Sequence, residues 1–170
     1  MKRWSLGGDL RWNAFDLYAN KYYGLSNWTT TNLGAQEKPL SGYDIDLAAQ
    51  VPYMPWAKVH AMHYQWNKER ATTDLAGNKL SLEGAISANF TFELGRNFDS
   101  NNSAQNGNFM MLRYRWDGSD SKQPNAMKQI IAANAFDTRD MSEHTLDRVR
   151  RTNTIVVERS AGGIVISRLN

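Results

Sequence analysis

The chain has 170 residues, of which 41% are hydrophobic and 11% aromatic, a content of aromatic residues that excludes a wholly disordered chain. It has no run of 18 apolar residues, which excludes a membrane-spanning helix but not a barrel whose strands alternate apolar and polar residues. The net charge of +3 is too small to indicate nucleic-acid binding, and the absence of Cys excludes disulfides and thiolate metal sites.

Alternation of apolar and polar residues predicts β-strands in the first two-thirds of the chain. The predicted strands cover residues 4–12, 15–23, 43–53, 57–66, 80–94 and 108–116. The run over 80–94 alternates without a break, which predicts either one long strand or two strands joined by a very tight turn at Asn89-Phe90. Pro52 and Pro55 predict a turn, and the mixed pattern of the strand after it indicates a bulge.

Two features of this pattern favour a transmembrane barrel. Segments of about 9–11 residues match a tilted bilayer span, and short connections alternate with long ones rich in Asn, Ser, Thr and Gly, as in outer-membrane barrels. Aromatic residues near the segment ends suit the interfacial girdles. A soluble β-sandwich or β-barrel that binds a ligand or partner is the alternative, and a hydrolase embedded in a barrel is a weaker one.

The pattern changes after Trp116. Helical spacing of Met127, Ile130 and Ile131 predicts a short helix over 126–133, and a second short helix begins at Ser142. Two β-branched runs follow, over 154–158 and 162–170. The fold class is therefore all-β, a partial antiparallel transmembrane β-barrel followed by short helices and an extended C-terminal linker.

Four segments in order resemble the β-domain of the intimin/invasin family, the inverse autotransporters. They are ANKYYGLSNW (19–28), GYDIDL (42–47), the double-proline turn VPYMP (51–55) and DRVRRTNTIVVE (147–158). The last segment resembles the family signature that follows the barrel. Its pattern residues, which form a candidate linker motif, are Asp147, Val149, Arg151, Asn153, Ile155, Val157 and Glu158.

The resemblance implies a twelve-stranded barrel in the bacterial outer membrane, whose linker passes back through the pore and carries an adhesive passenger outward. Residues 1–116 would be the later barrel strands, 117–151 a helical segment and 152–170 the extended linker, without a passenger. The implied partners are outer-membrane lipid, the barrel-assembly machinery and periplasmic chaperones. The resemblance implies no enzyme activity and no cofactor, and it leaves any adhesion ligand unidentified.

Six or seven predicted strands cannot close a twelve-stranded barrel, and an open edge in lipid leaves backbone groups unsatisfied. We therefore expect this sequence to be a fragment of a longer protein, a truncated gene product or the product of a mis-called start. Residues 1–9 do not have the apolar core of a signal peptide, so an exported protein would carry one upstream.

Face parity predicts a polar network in the barrel lumen that holds the threaded linker. Its members are Asp9, Arg11, Asp44, Asp46, Glu83, Arg113 and Arg115. For Arg148, Arg150 and Arg151 a solvated helix face is the ordinary interpretation, with a contact to the lumen or to lipid head groups as the alternative. His60 and His63 are three residues apart and so face opposite sides of a strand, which argues against a shared metal site.

Overall fold

The computed structural model describes residues 1–32, 34–87, 89–99, 106–114, 130–136, 149–160 and 164–167. These residues form eleven strands. In chain order they are β1 (Arg3–Arg11), β2 (Phe15–Gly24), β3 (Thr29–Thr30), β4 (Gln36–Pro39), β5 (Ser41–Val51), β6 (Met54–Asn67), β7 (Leu75–Ala85), β8 (Phe90–Asp99), β9 (Gly107–Tyr114), β10 (Ile155–Arg159) and β11 (Ile164–Ser167). The all-β, antiparallel prediction is confirmed.

Seven strands form one antiparallel sheet in the order β1-β2-β5-β6-β7-β8-β9. The connections after β1, β5 and β7 are short and lie at one end of the sheet, which we call the short-turn end. The connections after β2 and β6 are longer and lie at the opposite end, the long-loop end. This asymmetry is typical of outer-membrane barrels, whose periplasmic turns are short and whose extracellular loops are long.

One face of this sheet exposes apolar side chains and the other buries charged ones, which is the opposite of the distribution in a soluble protein. On one face, which we call the outer face, leucines are largely exposed, for example Leu6 at 62% and Leu112 at 57%. On the other, the inner face, carboxylates are buried, with Asp44 and Glu93 both at 0% exposure. Because water penalises a continuous apolar surface of this kind, the outer face suits contact with lipid.

A small apolar core lies at the long-loop end of the inner face. It consists of Tyr22, Leu40, Tyr64, Trp66, Leu75 and Val156. Val156 belongs to β10, more than 80 residues after the other five. The C-terminal part of the chain therefore completes this core.

A second, four-stranded sheet has the order β11-β10-β4-β3. β3 and β4 lie within residues 26–41, which the sequence pattern assigns to a loop. β4 is polar in sequence, and its pairing with β10 supplies the hydrogen bonds that fix it as a strand. The contact joins segments more than 110 residues apart, so local periodicity carries no signal of it.

The run over 80–94 is two strands, which excludes the single long strand as an alternative. β7 ends at Ala85 and β8 begins at Phe90, so the turn starts before the predicted Asn89-Phe90, and the Ile86 amide donates to the Phe90 carbonyl at 2.9 Å. Leu82 pairs with Leu94 and Gly84 with Phe92, so even-numbered residues face outward on both strands. The alternation therefore continues through the turn, and periodicity alone cannot detect it.

The double-proline turn is tighter than the sequence indicates. Val51 pairs with Met54, so that Pro52 and Tyr53 form the turn and Pro55 lies within β6. Tyr53 adopts the left-handed conformation, with φ of 63°. A register shift between Gln50 and Val51 accounts for the extra residues at the start of β6, where the mixed pattern indicated a bulge.

The described residues contain no helix, and none that is long and apolar enough to cross a membrane. Of the predicted helix over 126–133, residues 130–133 are bends or irregular, because their main-chain groups bond to the Tyr53 turn instead. Residues 126–129 and 142–148 lie outside the described part. The end of the second predicted helix, residues 149–151, is described and is irregular, so the helix prediction is wrong there, because the side chain and carbonyl of Arg150 bind the inner face.

Candidate functional site

The side chain of Arg150 lies against the inner face in contact with three carboxylates. Its Nε is 3.0 Å from Asp46 Oδ2, its Nη1 2.6 Å from Glu83 Oε2 and its Nη2 2.7 Å from Glu93 Oε1. The three acids come from β5, β7 and β8, so that a single guanidinium joins three strands of the sheet. We call Asp46, Glu83 and Glu93 the Arg150 seat.

Other cations on the inner face share the seat. Arg113 on β9 donates to Glu83 at 2.8 Å and also to Glu93, and Lys79 Nζ is 3.1 Å from Glu93. The cluster thus matches the three carboxylates of Asp46, Glu83 and Glu93 with the basic side chains of Arg150, Arg113 and Lys79. One of the three cations, Arg150, is not part of the sheet, and removing it leaves buried negative charge under-compensated, which is costly in a low-dielectric environment.

His60 lies on the inner face beside this cluster. Its Nδ1 is 3.0 Å from Asp46 Oδ2, and its side chain is buried. His63 is exposed and contacts Asn78 at 3.0 Å, so the two histidines face opposite sides as predicted. Among the described residues, no group of three His, Asp or Glu side chains is arranged to hold a metal ion.

The inner face also binds Thr152, which lies two residues after Arg150. The Thr152 amide donates to the Tyr22 hydroxyl at 2.9 Å, and its own hydroxyl donates to Asp44 Oδ2 at 2.8 Å. Tyr22 in turn donates to Asp44 Oδ2 at 2.7 Å. Asn20 bridges Asp44 Oδ1 and the Arg150 carbonyl, at 2.7 and 2.9 Å.

Arg3 on the edge strand β1 continues this row of contacts. Its Nη2 donates to the Thr152 carbonyl at 2.5 Å and its Nη1 to the Thr154 carbonyl at 2.9 Å. The guanidinium also lies 4.4 Å from the centre of the Tyr22 ring, within range of a cation–π contact. Strand side chains therefore bind the main chain of this segment at the amide of Thr152 and at the carbonyls of Thr152 and Thr154.

The contacts of the C-terminal part follow the sheet from one end to the other. At the short-turn end, Ala132 donates to the Tyr53 carbonyl at 2.8 Å and Trp56 Nε1 donates to the Ile130 carbonyl at 2.9 Å. At the long-loop end, β10 pairs with β4. Arg150 lies between these two ends, and we call residues 149–160 the linker.

Comparison with known proteins identifies the family of this chain. The family model of the inverse autotransporter β-domain matches residues 1–153.

The chain belongs to the inverse autotransporter β-domain family.

The intimin/invasin resemblance is thereby confirmed. Members of this family are β-barrel translocator domains of the bacterial outer membrane, of the kind found in adhesins, and this chain is such a domain.

One solved structure, from work on the in-meso crystallization of membrane proteins, matches with a TM-score of 0.67 and 19% identity. The match covers 93% of this chain and 67% of that one, and at this identity it shows the fold alone. The comparison with curated proteins finds no match.

The predicted network residues of this inverse autotransporter domain fall into two groups. Asp44, Asp46, Glu83 and Arg113 contact the linker or the Arg150 seat. Asp9 and Arg11 instead pair with each other along β1, at 2.5 Å. Arg115 lies outside the described residues.

The residues of the candidate linker motif also divide by position. Ile155, Val157 and Glu158 are buried in β10, and Val149 is half-buried. Arg151 and Asn153 are exposed, although Arg151 Nη1 lies 3.4 Å from Ser5 Oγ. Asp147 lies outside the described residues.

Five residues that form close contacts between the inner face and the linker were absent from the predicted network. They are Asn20, Tyr22, Glu93, Arg150 and Thr152. Arg150 and Thr152 are two apart and share a face, a strand-like signal that the helix predicted up to residue 151 concealed. Glu93 shares the odd-numbered face of Glu83, so the same parity could have identified it.

Proposed function

We propose that this translocator domain holds its own linker in the pore through the inner-face network, with Arg150 as the central contact. The observation that carries the proposal is the insertion of the Arg150 guanidinium among Asp46, Glu83 and Glu93. A linker that supplies one of three balancing cations stabilises the sheet around it, and the sheet retains the linker in return.

The course of the linker supports an export role. Its preceding segment contacts the short-turn end, and β10 lies at the long-loop end, which corresponds to the cell exterior in outer-membrane barrels. On this proposal, residues 1–116 anchor the protein, and the chain after 152 leaves the pore toward the outside, where it serves surface display and adhesion.

The same contacts support a domain without catalytic activity. The carboxylates of the Arg150 seat are engaged by Arg150, Arg113 and Lys79 as structural acceptors. The proposed partners are outer-membrane lipid at the exposed leucines of the outer face, and the barrel-assembly machinery and periplasmic chaperones during insertion. An export signal upstream of Met1 belongs to the same proposal.

The test is a charge reversal in the linker of the protein expressed in the outer membrane with an epitope tag after Asn170. Arg150→Glu places a fourth carboxylate against the seat, so we expect the surface-exposed tag to fall strongly. Arg151→Glu is the matched control, because the Arg151 side chain is exposed and contacts Ser5 alone among the described hydrogen bonds. Equal tag exposure in both variants, with equal barrel content in the membrane, would contradict the proposal.

A further inference from the structure

Glu158 of β10 binds the loop between β6 and β7 through its carboxylate. Oε2 accepts from the Glu69 amide at 2.8 Å, and Oε1 accepts from the amides of Arg70 and Ala71 at 3.1 and 2.9 Å. Three successive backbone N–H groups directed at one anion form a nest, a recurring site for anions in proteins. We call the amides of residues 69–71 the exit nest, and Glu158 is buried within it at 4% exposure.

A second loop at the same end contacts the same part of the linker. β4 pairs with β10, with Glu37 opposite Arg159 and Lys38 opposite Glu158. The Ser160 amide extends this ladder by donating to the Gln36 carbonyl at 2.9 Å. The linker is thus attached to the loops that follow both β2 and β6.

The two loops also contact each other around β10. Arg70 donates to Gln36 Oε1 at 2.9 Å, and its guanidinium lies 3.8 Å from the centre of the Trp28 ring. Lys38 forms an ion pair with Glu69, and this ammonium lowers the pKa of the Glu69 carboxyl. The exit nest and β4 therefore form one unit, which we call the collar. Within the collar, the position of Glu158 is fixed relative to β4.

The Arg150 seat alone does not define one position for the linker. Arg148 and Arg150 are two residues apart, and in an extended chain such residues share a face. A shift of the linker outward by two residues would bring Arg148 to the seat. Arg148 lies outside the described residues, and only its sequence position bears on this shift. A two-residue shift also keeps every side chain of β10 on its present face, so the ladder with β4 tolerates it.

The exit nest distinguishes the two positions. After an outward shift of two residues, Val156 would occupy the place of Glu158, and its side chain has no acceptor for three amides. Amides that an apolar side chain covers and leaves without an acceptor are disfavoured. We propose that Glu158 is the positioning residue that sets the register in which the exported linker stops. The inference rests on the proposed function, because it requires the linker to be held in the pore.

Cysteine pairs can measure the register directly, because the chain contains no Cys of its own. Glu37→Cys with Arg159→Cys reports the native register, since these residues are opposite each other in an antiparallel pair and within disulfide reach. Glu37→Cys with Val157→Cys reports the outward shift by two residues. Both pairs are introduced into the full chain in the outer membrane and oxidised, and the disulfide yields are compared.

With Glu158 intact we expect the native pair to dominate. Glu158→Ala should change the ratio of native to shifted disulfide by roughly tenfold or more, as expected when several hydrogen bonds to a charged acceptor are lost. Glu158→Gln, which keeps one acceptor oxygen, should give an intermediate ratio. Adding Arg148→Met to Glu158→Ala should restore the native register, because the shifted linker then has no cation for the seat.

Two results would overturn the inference, and they are distinguishable. An unchanged native ratio in Glu158→Ala means that Glu158 does not set the register, while the holding role of Arg150 stands. If neither disulfide forms with Glu158 intact, although Glu37→Cys reacts with a maleimide at the cell surface, the linker is not held at the collar. In that case the proposed function fails together with the inference.

Discussion

The Tyr22 hydroxyl accepts a hydrogen bond of 2.9 Å from the amide of Thr152, a residue 130 positions later in the chain. The same hydroxyl donates to Asp44 Oδ2 at 2.7 Å. A phenol can donate and accept at once, which lets one side chain join a strand to the main chain of the linker.

Tyr22→Phe therefore removes two hydrogen bonds and leaves the Thr152 amide without this acceptor. We expect a loss of about 1–3 kcal/mol in the free energy of unfolding, the cost of a buried polar group without a partner. Denaturant unfolding in detergent micelles measures the change. Tyr23→Phe is the matched control, because Tyr23 is the neighbouring residue on the outer face and is 41% exposed. Equal effects of the two changes would count against a structural role for the Tyr22 hydroxyl.

Asp46→Asn tests the seat from the side of the sheet. The substitution keeps the volume but removes the charge that faces Arg150 Nε and His60 Nδ1, each at 3.0 Å. We expect the unfolding free energy to fall by about 1.5–3 kcal/mol, the usual worth of a hydrogen bond to a charged group. Proteolysis of the linker from outside should also become faster.

Asp9→Asn is the control for this change, since Asp9 pairs with Arg11 on its own strand. This pair lies within one strand, and in the described hydrogen bonds and ion pairs Asp9 contacts no linker residue, so linker proteolysis should stay unchanged. If Asp9→Asn accelerated linker proteolysis as much as Asp46→Asn, the seat would not be what retains the linker.

Gly42 on β5 lies where the sheet has no room for a side chain. A Cβ there would lie 2.2 Å from the Gln65 carbonyl oxygen and 2.6 Å from Trp66 Cε3. Gly42→Ala should destabilise the domain by about 1–3 kcal/mol, as overpacking does in a close-packed interior. A Cβ at Gly8 meets nothing within 4 Å, so Gly8→Ala should be neutral or slightly stabilising. Thermal unfolding of both variants compares them, and equal melting temperatures would refute the steric explanation.

Tyr53 tests the tight turn between β5 and β6. Its φ of 63° is costly for a side chain branched at Cβ, so Tyr53→Val should lower the stability by about 1 kcal/mol or more. Tyr53→Gly should leave it within about 1 kcal/mol, because relief of the left-handed strain offsets the greater freedom of the unfolded chain. The main-chain bonds of Tyr53 to residues 132 and 135 remain available in both variants. A more stable Val variant than Gly variant in urea would contradict this account.

Much of the main sheet follows from the sequence, because strands with one apolar and one polar face alternate in sequence, with β6 as an exception. The faces of β1, β2 and β5 were predictable for this reason. The hairpin within 80–94 was not resolved, since its register keeps even-numbered residues outward on both strands. Sequence periodicity reports which face a residue occupies, and here the face does not change across the turn.

The linker was harder to predict than the strands. Residues 149–154 pair with no strand, and their structure comes from side chains such as Asn20, Tyr22 and Arg3 that bind its main chain. Because these contacts are to main-chain groups, they require no particular side chain in the linker apart from those of Arg150 and Thr152. A helix was the natural interpretation of a segment that opens with Ser142-Glu143 and has Leu146 and Val149 three residues apart, because nothing local indicates the surrounding acids.

The pairing of β10 with β4 has a practical consequence for cell-surface engineering. A foreign domain joined before Ile155 would separate Glu158 and its neighbours from the loops that they bind, even though the barrel strands were untouched. A fusion site after Ser167 keeps this attachment and also the pairing of β10 with β11. On the proposed function, the boundary between the anchor and any fused domain therefore lies after β11, beyond the last contact of the linker with the strands of the main sheet.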